Sequence, residues 1–270
     1  MLQNLHTHTL FCDGKDTPEE MIETAIERGF DSLGFSSHAM TDKHSRIEMR
    51  DVPGYVSTVS ALKEKYKDKI KIFLGIELDY YSAGVMPGFD WDYAIGSVHL
   101  FKKNKHFVEY DHSYEHTKKF IDEDYSGDGI AYVKDYYAVM ADMPNRLKAD
   151  FVGHFDLVTK FSEQHPELFD IESKEYKNAA LESLHAVREK MELFEVNTGA
   201  IGRGFRTAPY PAPFILDEMK RLDCKILLSS DCHNRNYLDC HFKESCEYLR
   251  AHGYDTLYYL TENGFVGEKI

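Results

Sequence analysis

Short apolar segments alternate with amphipathic helical segments along almost the entire chain. Apolar runs of this length indicate buried strands, and the segments between them have the period of helices. The predicted strands are Leu2–His8, Ser32–His38, Ile70–Leu78, Tyr93–Leu100, Phe151–Phe155, Leu193–Asn197 and Lys225–Ser230. A strand followed by a helix, repeated about seven times, is typical of a parallel α/β protein. We therefore predict a closed or nearly closed β/α barrel, in which chemistry takes place at the carboxyl ends of the strands.

The segment DTPEEMIETAIERG, between the first two predicted strands, has the signals of a capped helix. Thr17 is a suitable N-cap, Pro18 suits the first helical position, and Glu20 completes a capping box. Gly29 is placed to end this helix. Further helices are predicted over Val56–Lys67, Ala131–Met140, Ala179–Glu192, Phe214–Leu222 and Phe242–Ala251.

The chain shows no internal division. No linker or low-complexity tract interrupts its 270 residues, so we predict a single domain over residues 1–270. The polar and aromatic stretch Phe101–Gly129 is long for a connection. We predict that this stretch forms a lid or insertion over the barrel mouth.

Charge and composition exclude several classes of protein. With 32 basic and 46 acidic residues the net charge is −14, which argues against broad binding to nucleic acids or anionic membranes. No apolar run approaches the ~20 residues of a membrane span, and the first residues lack the pattern of a signal peptide. Five cysteines without a C-x-x-C pair indicate reduced thiols. We expect a cytoplasmic protein, and nothing in the sequence predicts its oligomeric state.

Histidines and carboxylates collect at the predicted carboxyl ends of the strands. In HTHTL and SDCH such residues alternate, so each pair lies on one face of its strand. Left unpaired, this many titratable groups would be destabilised by desolvation and repulsion, and a bound cation offsets that cost. The sequence therefore predicts metal binding by His6, His8, Asp13, His38, Glu77, His99, His154, Asp231 and His233.

The types and number of these donors indicate the kind of centre. Imidazole and carboxylate suit zinc, iron and manganese. One ion takes about four to six ligands including water, so nine donors predict two or three ions. Multinuclear sites of this kind are used to hydrolyse phosphate esters.

The order of these residues, H-x-H, D, H, E, H, H, D-x-H, resembles the polymerase and histidinol phosphatase (PHP) superfamily. The segments HTHTLFCDG, GSVH, GHFD, VNTGAIGRGFR and SSDCH are most similar to its stand-alone L-histidinol-phosphate phosphatase branch. The resemblance implies an α/β fold of the distorted (β/α)7 TIM-like barrel type. It also implies hydrolysis of L-histidinol phosphate to L-histidinol and phosphate, a reaction of histidine biosynthesis.

The resemblance implies a trinuclear centre of divalent ions, which are zinc, iron or manganese. Carried over, the ligand sets are His6, His8, Glu77 and Asp231 for the first ion, Glu77, His99 and His154 for the second, and Asp13, His38 and His233 for the third. Asp13 departs from the pattern, because some superfamily members carry histidine there. A carboxylate makes the third site harder and leaves the identity of its metal open.

The implied mechanism is attack of a metal-bridging hydroxide on phosphorus. Arg203 and Arg206, in GAIGRGFR, are the predicted phosphate-binding residues, since a guanidinium group matches phosphate with two parallel hydrogen bonds. Asp231 and His233 are the predicted catalytic residues for proton transfer to the leaving group, although a solvent water serves equally well. Acidic residues of the Phe101–Tyr125 stretch are candidates for recognising the ammonium and imidazole of histidinol. They are Glu115, Asp122, Glu123 and Asp124.

Three alternatives stay open at this point. The same centre could serve a broader small-molecule phosphatase that acts on nucleotides or phosphotyrosine. It could also serve a PHP-type 3'-5' exonuclease, but the charge of −14 disfavours strand binding, which depends on neutralising phosphates. The third alternative is a metal-binding or regulatory module without activity, and it is disfavoured because every expected ligand is present.

Overall fold

The computed structural model describes residues 1–41, 43, 45–86, 88–104 and 106–270, and for residue 106 it describes the backbone alone. Lys105, within the predicted lid, lies outside the described residues. The strands are β1 (Gln3–Asn4), β2 (Ser32–Phe35), β3 (Lys71–Asp79), β4 (Tyr93–Ser97), β5 (Leu100–Lys103), β6 (His106–Glu109), β7 (Phe151–Val152), β8 (Leu193–Asn197), β9 (Lys225–Ser229), β10 (Thr256–Thr261) and β11 (Gly264–Lys269). The helices are α1 (Pro18–Glu27), α2 (Val52–Lys65), α3 (Tyr114–Asp124), α4 (Gly129–Arg146), α5 (Lys174–Arg188), α6 (Gly199–Gly202), α7 (Pro213–Arg221) and α8 (Phe242–Ala251).

Seven parallel strands form the central sheet, in the order β1-β2-β3-β4-β7-β8-β9. Each predicted strand contributes one of them. The two edges of the sheet approach each other beyond β1 and β9, where Thr7 and Cys232 form a parallel bridge. There the backbone N–H of His8 donates to the carbonyl of Cys232 at 2.9 Å. The result is a nearly closed barrel of seven parallel strands with flanking helices, which confirms the predicted fold class.

Local capping decides where the helices begin. The capping box of α1 is present, because Thr17 Oγ1 accepts from the Glu20 N–H while the Glu20 carboxylate accepts from the Thr17 N–H. The predicted starts of α2 and α5 were wrong by about one turn, since α2 begins at Val52 after its cap Asp51, and α5 is capped by Ser173. Among the described residues, no helix is both long and apolar enough to cross a bilayer.

The stretch predicted as a lid folds into a hairpin and a helix. The predicted strand Tyr93–Leu100 is interrupted after β4, and the chain turns into the antiparallel pair β5 and β6, followed by α3. Phe101, Tyr110 and Phe120 from this segment are buried against Tyr132 of α4. The segment therefore packs into the same core that α4 and α5 form against the barrel.

A second hairpin, β10 and β11, covers the amino end of the barrel and was not predicted from the sequence. Its residues Leu260 and Phe265 pack against the side chains that fill the barrel interior. These are Leu5, Phe73, Tyr93, Ile95, Phe151, Leu193 and Leu227. Large buried side chains thus close the amino end, and the titratable residues lie at the opposite, carboxyl end.

Candidate metal centre

The carboxyl ends of the strands bring all nine predicted ligands together. His6 and His8 follow β1 on one face, because Thr7 between them points away and bonds to the Gly34 carbonyl with its hydroxyl. Glu77 lies near the end of β3 and pairs with the backbone of His38 through a parallel bridge. The remaining ligands come from the ends of other strands and from the loop after β1. They are Asp13, His99, His154, Asp231 and His233.

Glu77 is at the centre of the cluster. This carboxylate is 1% exposed, and its two oxygens lie between 2.9 and 3.5 Å from ring nitrogens of five histidines. Those histidines are His6, His8, His38, His99 and His154. Oε2 faces three of the rings and Oε1 faces the other two, so this carboxylate connects the two groups of histidines.

Asp231 enters the same cluster from the last barrel strand. Its Oδ1 lies 3.1 Å from His8 Nε2 and 3.6 Å from His6 Nε2. The backbone of Asp231 has a φ of 45°, in the left-handed region that costs most residues energy but that aspartate tolerates better than most. Backbone strain of this kind is concentrated at functional sites, where it sets the direction of a side chain.

Asp13, His38 and His233 form the outer part of the cluster. His233 Nε2 lies 3.2 Å from Asp13 Oδ2, and His38 Nε2 lies 3.6 Å from Asp13 Oδ1. The ring of His8 stacks on both His38 and His233, with centroids 4.3 and 4.2 Å apart. One nitrogen or oxygen atom from each of His8, Asp13, His38 and His233 lies within 4.8 Å of the others, a spacing that could hold a metal ion.

Buried atoms without hydrogen-bond partners test whether a metal fits. Within the part of the chain that the structure describes, His6 Nε2, His8 Nε2 and Glu77 Oε2 are fully buried and have no partner in hydrogen-bonding geometry, although His38 Nδ1 lies 2.9 Å from Glu77 Oε2 and Asp231 Oδ1 lies 3.1 Å from His8 Nε2. Buried polar atoms normally have partners, so such atoms require an explanation. Three such atoms directed at one point are accounted for by divalent cations, and the residues present therefore fit a metal centre.

One histidine and two carboxylates of the cluster have the charge of metal ligands, whereas the carboxylates raise the pKa of His6, His38 and His99 despite burial, a demand for positive charge that a bound cation would meet. Burial, together with the neighbouring imidazoles of His233 and His38, lowers the pKa of His8 to about 3, so its ring is neutral at pH 7 and can bind a metal. Burial opposes ionisation of Glu77, but the surrounding imidazoles, His6 foremost, hold the pKa of this carboxyl well below its usual range. Burial also disfavours charge on Asp231, and Arg203 and His6 lower its pKa nonetheless. Both carboxylates are therefore ionised, as ligands must be.

A cavity of about 280 Å³ opens above the cluster. Arg203 lines it and donates to Asp231 twice, to the backbone carbonyl at 2.9 Å and to Oδ2 at 3.0 Å. The structure does not bring Arg206 to this cavity. Arg206 instead lies 3.7 Å from Asp156, bonds to the Thr159 hydroxyl, and lines a neighbouring cavity.

The cavity also contains residues that sequence reasoning missed. Asp111, from the segment after β6, and Lys160 line the cavity and form an ion pair at 3.3 Å. Burial disfavours ionisation of Asp111, yet Lys160 and His99 lower its pKa. The acidic residues predicted to recognise the substrate do not line this cavity. They lie on α3 and are Glu115, Asp122, Glu123 and Asp124. The one signal in the sequence that could have indicated a role for Asp111 is its position two residues after the end of β6.

Residues 4–199 match the model of the PHP domain family, which is more than half of the chain. The chain belongs to the PHP family. The family assignment agrees with the convergence of histidines and carboxylates at the carboxyl ends of the barrel strands. The match ends before Asp231 and His233, which the structure nevertheless places in the same cluster as His6 and His8.

This PHP protein is similar over nearly its whole length to proteins named as histidinol-phosphatases. It is 26% identical to a probable histidinol-phosphatase of Deinococcus radiodurans over 263 residues, which covers 92% of each chain. It is also 26% identical to the histidinol-phosphatase of Bacillus subtilis, with 84% of this chain and 92% of that protein covered. The predicted resemblance to the histidinol-phosphatase branch is confirmed by these relatives.

Two solved structures share the fold. A putative histidinol phosphatase of Listeria monocytogenes superposes with a TM-score of 0.75 at 23% identity, covering 90% of this chain and all of that one. The histidinol phosphate phosphatase of Lactococcus lactis, solved with zinc, L-histidinol and phosphate, superposes with a TM-score of 0.74 at 18% identity. The superposition covers 98% of both chains. The PHP barrel described above is therefore the fold of both proteins.

Proposed function

We propose that this PHP protein is a metal-dependent phosphomonoesterase that hydrolyses L-histidinol phosphate to L-histidinol and phosphate. The observation that carries the proposal is the convergence of six buried or half-buried histidines and three carboxylates beneath one cavity. Its relatives over most of the chain are named histidinol-phosphatases. The Lactococcus lactis protein of the same fold binds zinc, L-histidinol and phosphate.

The nine clustered residues are the proposed ligands of a trinuclear centre of zinc, iron or manganese. His6, His8, Glu77 and Asp231 would hold the first ion, Glu77 with His99 and His154 the second, and Asp13, His38 and His233 the third. Two groups of donor atoms support this division, namely His8 with Asp13, His38 and His233, and His6 with His8 and Glu77. Two other groups cross it, namely His6 with His154 and Asp231, and His38 with Glu77 and His99, so neighbouring ions would share the space between the sets. Bound divalent ions supply Lewis-acid activation of water and neutralise charge on the phosphoryl oxygens.

The side chains of this protein bind the substrate and handle protons. Arg203 is placed at the cavity to donate to the phosphoryl oxygens, where its charge and planar group stabilise the transition state. Asp231 and His233 lie beside it, with His233 Nδ1 3.2 Å from Arg203 Nη1, and they are the proposed residues for proton transfer to the leaving alkoxide. In the reaction water forms a bond to phosphorus, the ester P–O bond breaks, and the alkoxide of histidinol takes up a proton.

Opposite charges along the cavity favour a substrate that carries both. Arg203 and Lys15 provide positive charge near the cluster, whereas Glu109 and Asp111 provide carboxylates from the β6 side of the cavity, each paired with a cation, Arg46 and Lys160, that lines the same cavity. Histidinol phosphate has a phosphate at one end and an ammonium and imidazole at the other, so its charges match this distribution. The lid role of residues 101–129 stays a prediction, and it agrees with a contact between this segment and the substrate. The single domain over residues 1–270 also stays a prediction.

We expect purified protein to release phosphate from histidinol phosphate much faster than from other phosphoesters. The measurement combines metal analysis with phosphate release from histidinol phosphate, nucleotides, phosphotyrosine and short DNA. A preference for histidinol phosphate of about two orders of magnitude or more in kcat/KM is expected, because a site with placed charges discriminates by several kcal/mol. Equal rates over the small molecules would identify a broader phosphatase, and cleavage of DNA alone an exonuclease.

Replacing Asp111 by asparagine is expected to weaken the recognition of the leaving group. A charge-assisted hydrogen bond contributes about 1.5 kcal/mol, so KM for histidinol phosphate should rise about tenfold. KM for p-nitrophenyl phosphate, which lacks the ammonium, should change little. Asp122→Asn, on α3 and outside the cavity, is the matched control. Equal changes for both substrates would show that Asp111 does not recognise the cation.

A further inference from the structure

Glu195 is a fully buried carboxylate that lies directly beneath the metal centre and was not predicted from the sequence. It is on β8, with 0% of its surface exposed, and none of the proposed ligand sets includes it. A buried carboxylate of this kind is costly unless every oxygen is hydrogen-bonded. Its surroundings in the barrel therefore show what it is used for.

Both oxygens of Glu195 are fully occupied by donors. Oε1 lies 2.6 Å from His6 Nδ1 and also accepts from the Ser229 hydroxyl. Oε2 accepts from the backbone N–H of His154 at 2.7 Å and from Asn197 Nδ2 at 2.9 Å. With two donors on each oxygen, Glu195 faces the protein and not the cavity. It is a partner of the ligands and is not itself a ligand.

The bond to Glu195 decides which nitrogen of His6 is free. An ionised carboxylate only accepts, so His6 Nδ1 must carry the proton of the Glu195 bond. The lone pair is then on Nε2, the atom that is buried without a hydrogen-bond partner among the described residues and that lies 3.2 Å from Glu77 Oε2. A carboxylate bonded to the far nitrogen of a histidine is a recurrent way to orient a metal ligand.

We propose that Glu195 is a positioning residue that holds His6 as the Nδ1–H tautomer and presents its Nε2 to the metal. Through the His154 backbone it also fixes the strand end that carries a second ligand. This inference rests on the proposed metal centre. Asn197 extends the arrangement, because its Oδ1 accepts from the Gly199 N–H at 2.8 Å and so connects Glu195 to the loop that carries Arg203.

The substitution Glu195→Gln keeps the size of the side chain and removes the ability of one of its two terminal atoms to accept hydrogen bonds. All four contacts of the carboxylate are donors, so an amide NH2 meets a donor whichever way it turns. If the amide NH2 faces His6, the ring must accept at Nδ1. The ring proton is then on Nε2, where this proton blocks metal binding.

The test measures zinc binding and the tautomer of His6 in the full-length protein. Protein freed of metal is titrated with Zn²⁺ against a competing chelator, and nitrogen NMR of ¹⁵N-histidine-labelled, zinc-loaded protein reads the tautomer, with His6→Gln to assign the signal. We expect Glu195→Gln to weaken zinc binding at the His6 site about 10- to 100-fold, the usual effect of losing such a partner. Asp156→Asn is the matched control and should leave zinc affinity unchanged, because this second fully buried carboxylate accepts from the Ala212 N–H and lies 3.7 Å from Arg206.

The outcomes separate this inference from the proposed function. If wild-type protein binds no zinc, the metal centre itself is wrong. If wild-type protein binds zinc and Glu195→Gln binds it equally well, Glu195 has no positioning role. Should Glu195→Gln not fold, the NMR measurement on wild-type protein still decides, because a His6 ring protonated at Nε2 in the zinc-loaded state overturns the inference.

Discussion

Glu77→Gln is expected to reduce kcat/KM for histidinol phosphate by about a thousandfold. Glu77 lies among five histidines and is the proposed bridge between two ions, so one substitution disturbs both. Losing the charge stabilisation that a metal supplies raises the activation free energy by about 4 kcal/mol, which corresponds to a thousandfold lower rate. Activity is measured at saturating and limiting substrate, and bound metal is measured on the same sample by mass spectrometry.

A matched control separates this effect from a general loss of charge. Glu262 is an exposed carboxylate that pairs with Lys71, so Glu262→Gln should keep both metal content and rate. The Glu77→Gln protein should contain fewer ions per chain than wild type. Full metal content together with full activity would show that Glu77 is not a ligand.

Arg203→Ala is expected to lower kcat/KM by about 10²- to 10³-fold, the usual effect of removing one donor to a transition-state oxyanion. Inorganic phosphate, as a product inhibitor, should bind correspondingly more weakly. Bound metal is measured on the same sample, because Arg203 also bonds to Asp231, a proposed ligand, and a disturbance of Asp231 would lower the metal content whereas loss of the phosphate contact alone would not.

Arg206→Ala is the comparison for Arg203→Ala. Both arginines were predicted from the sequence to bind phosphate, and that prediction for Arg206 stays untested. Its guanidinium lies over the Tyr210 ring at 4.4 Å and beside Asp156, and it lines a different cavity from Arg203. We therefore expect the larger change in phosphate inhibition from Arg203→Ala. The opposite order would assign the phosphate to Arg206.

The barrel and the clustering of its histidines and carboxylates could be predicted because their signals are local and repeated. Each strand is a short apolar run, and the residue at its carboxyl end points to a place that all parallel strands share. Helix α1 was predicted at its observed position because Thr17 and Glu20 specify its start on their own. By contrast, the starts of α2 and α5 depended on single caps, Asp51 and Ser173, that lie outside the apolar periodicity.

The parts of the site that could not be predicted depend on contacts between distant segments. Nothing in the local sequence of β8 distinguishes Glu195 from other polar residues in strands. Its role becomes apparent only from the position of His6 beside it in the fold. Asp111 and Lys160 meet across the cavity, although nothing in either local sequence indicates the other. Arg203 and Arg206 are three residues apart, and the path of the loop alone directs them to different cavities.

The bridge between Thr7 and Cys232 affects the order in which the barrel and the donor cluster assemble during folding. It joins the earliest and the latest barrel segments to be translated, and the cluster draws His6 and His8 from one and Asp231 and His233 from the other. Contacts between such distant parts of a chain form slowly. Until the segment of Asp231 and His233 has folded against that of His6 and His8, the set of donors is incomplete, so binding of the full set of proposed ions requires the barrel to close at Thr7 and Cys232.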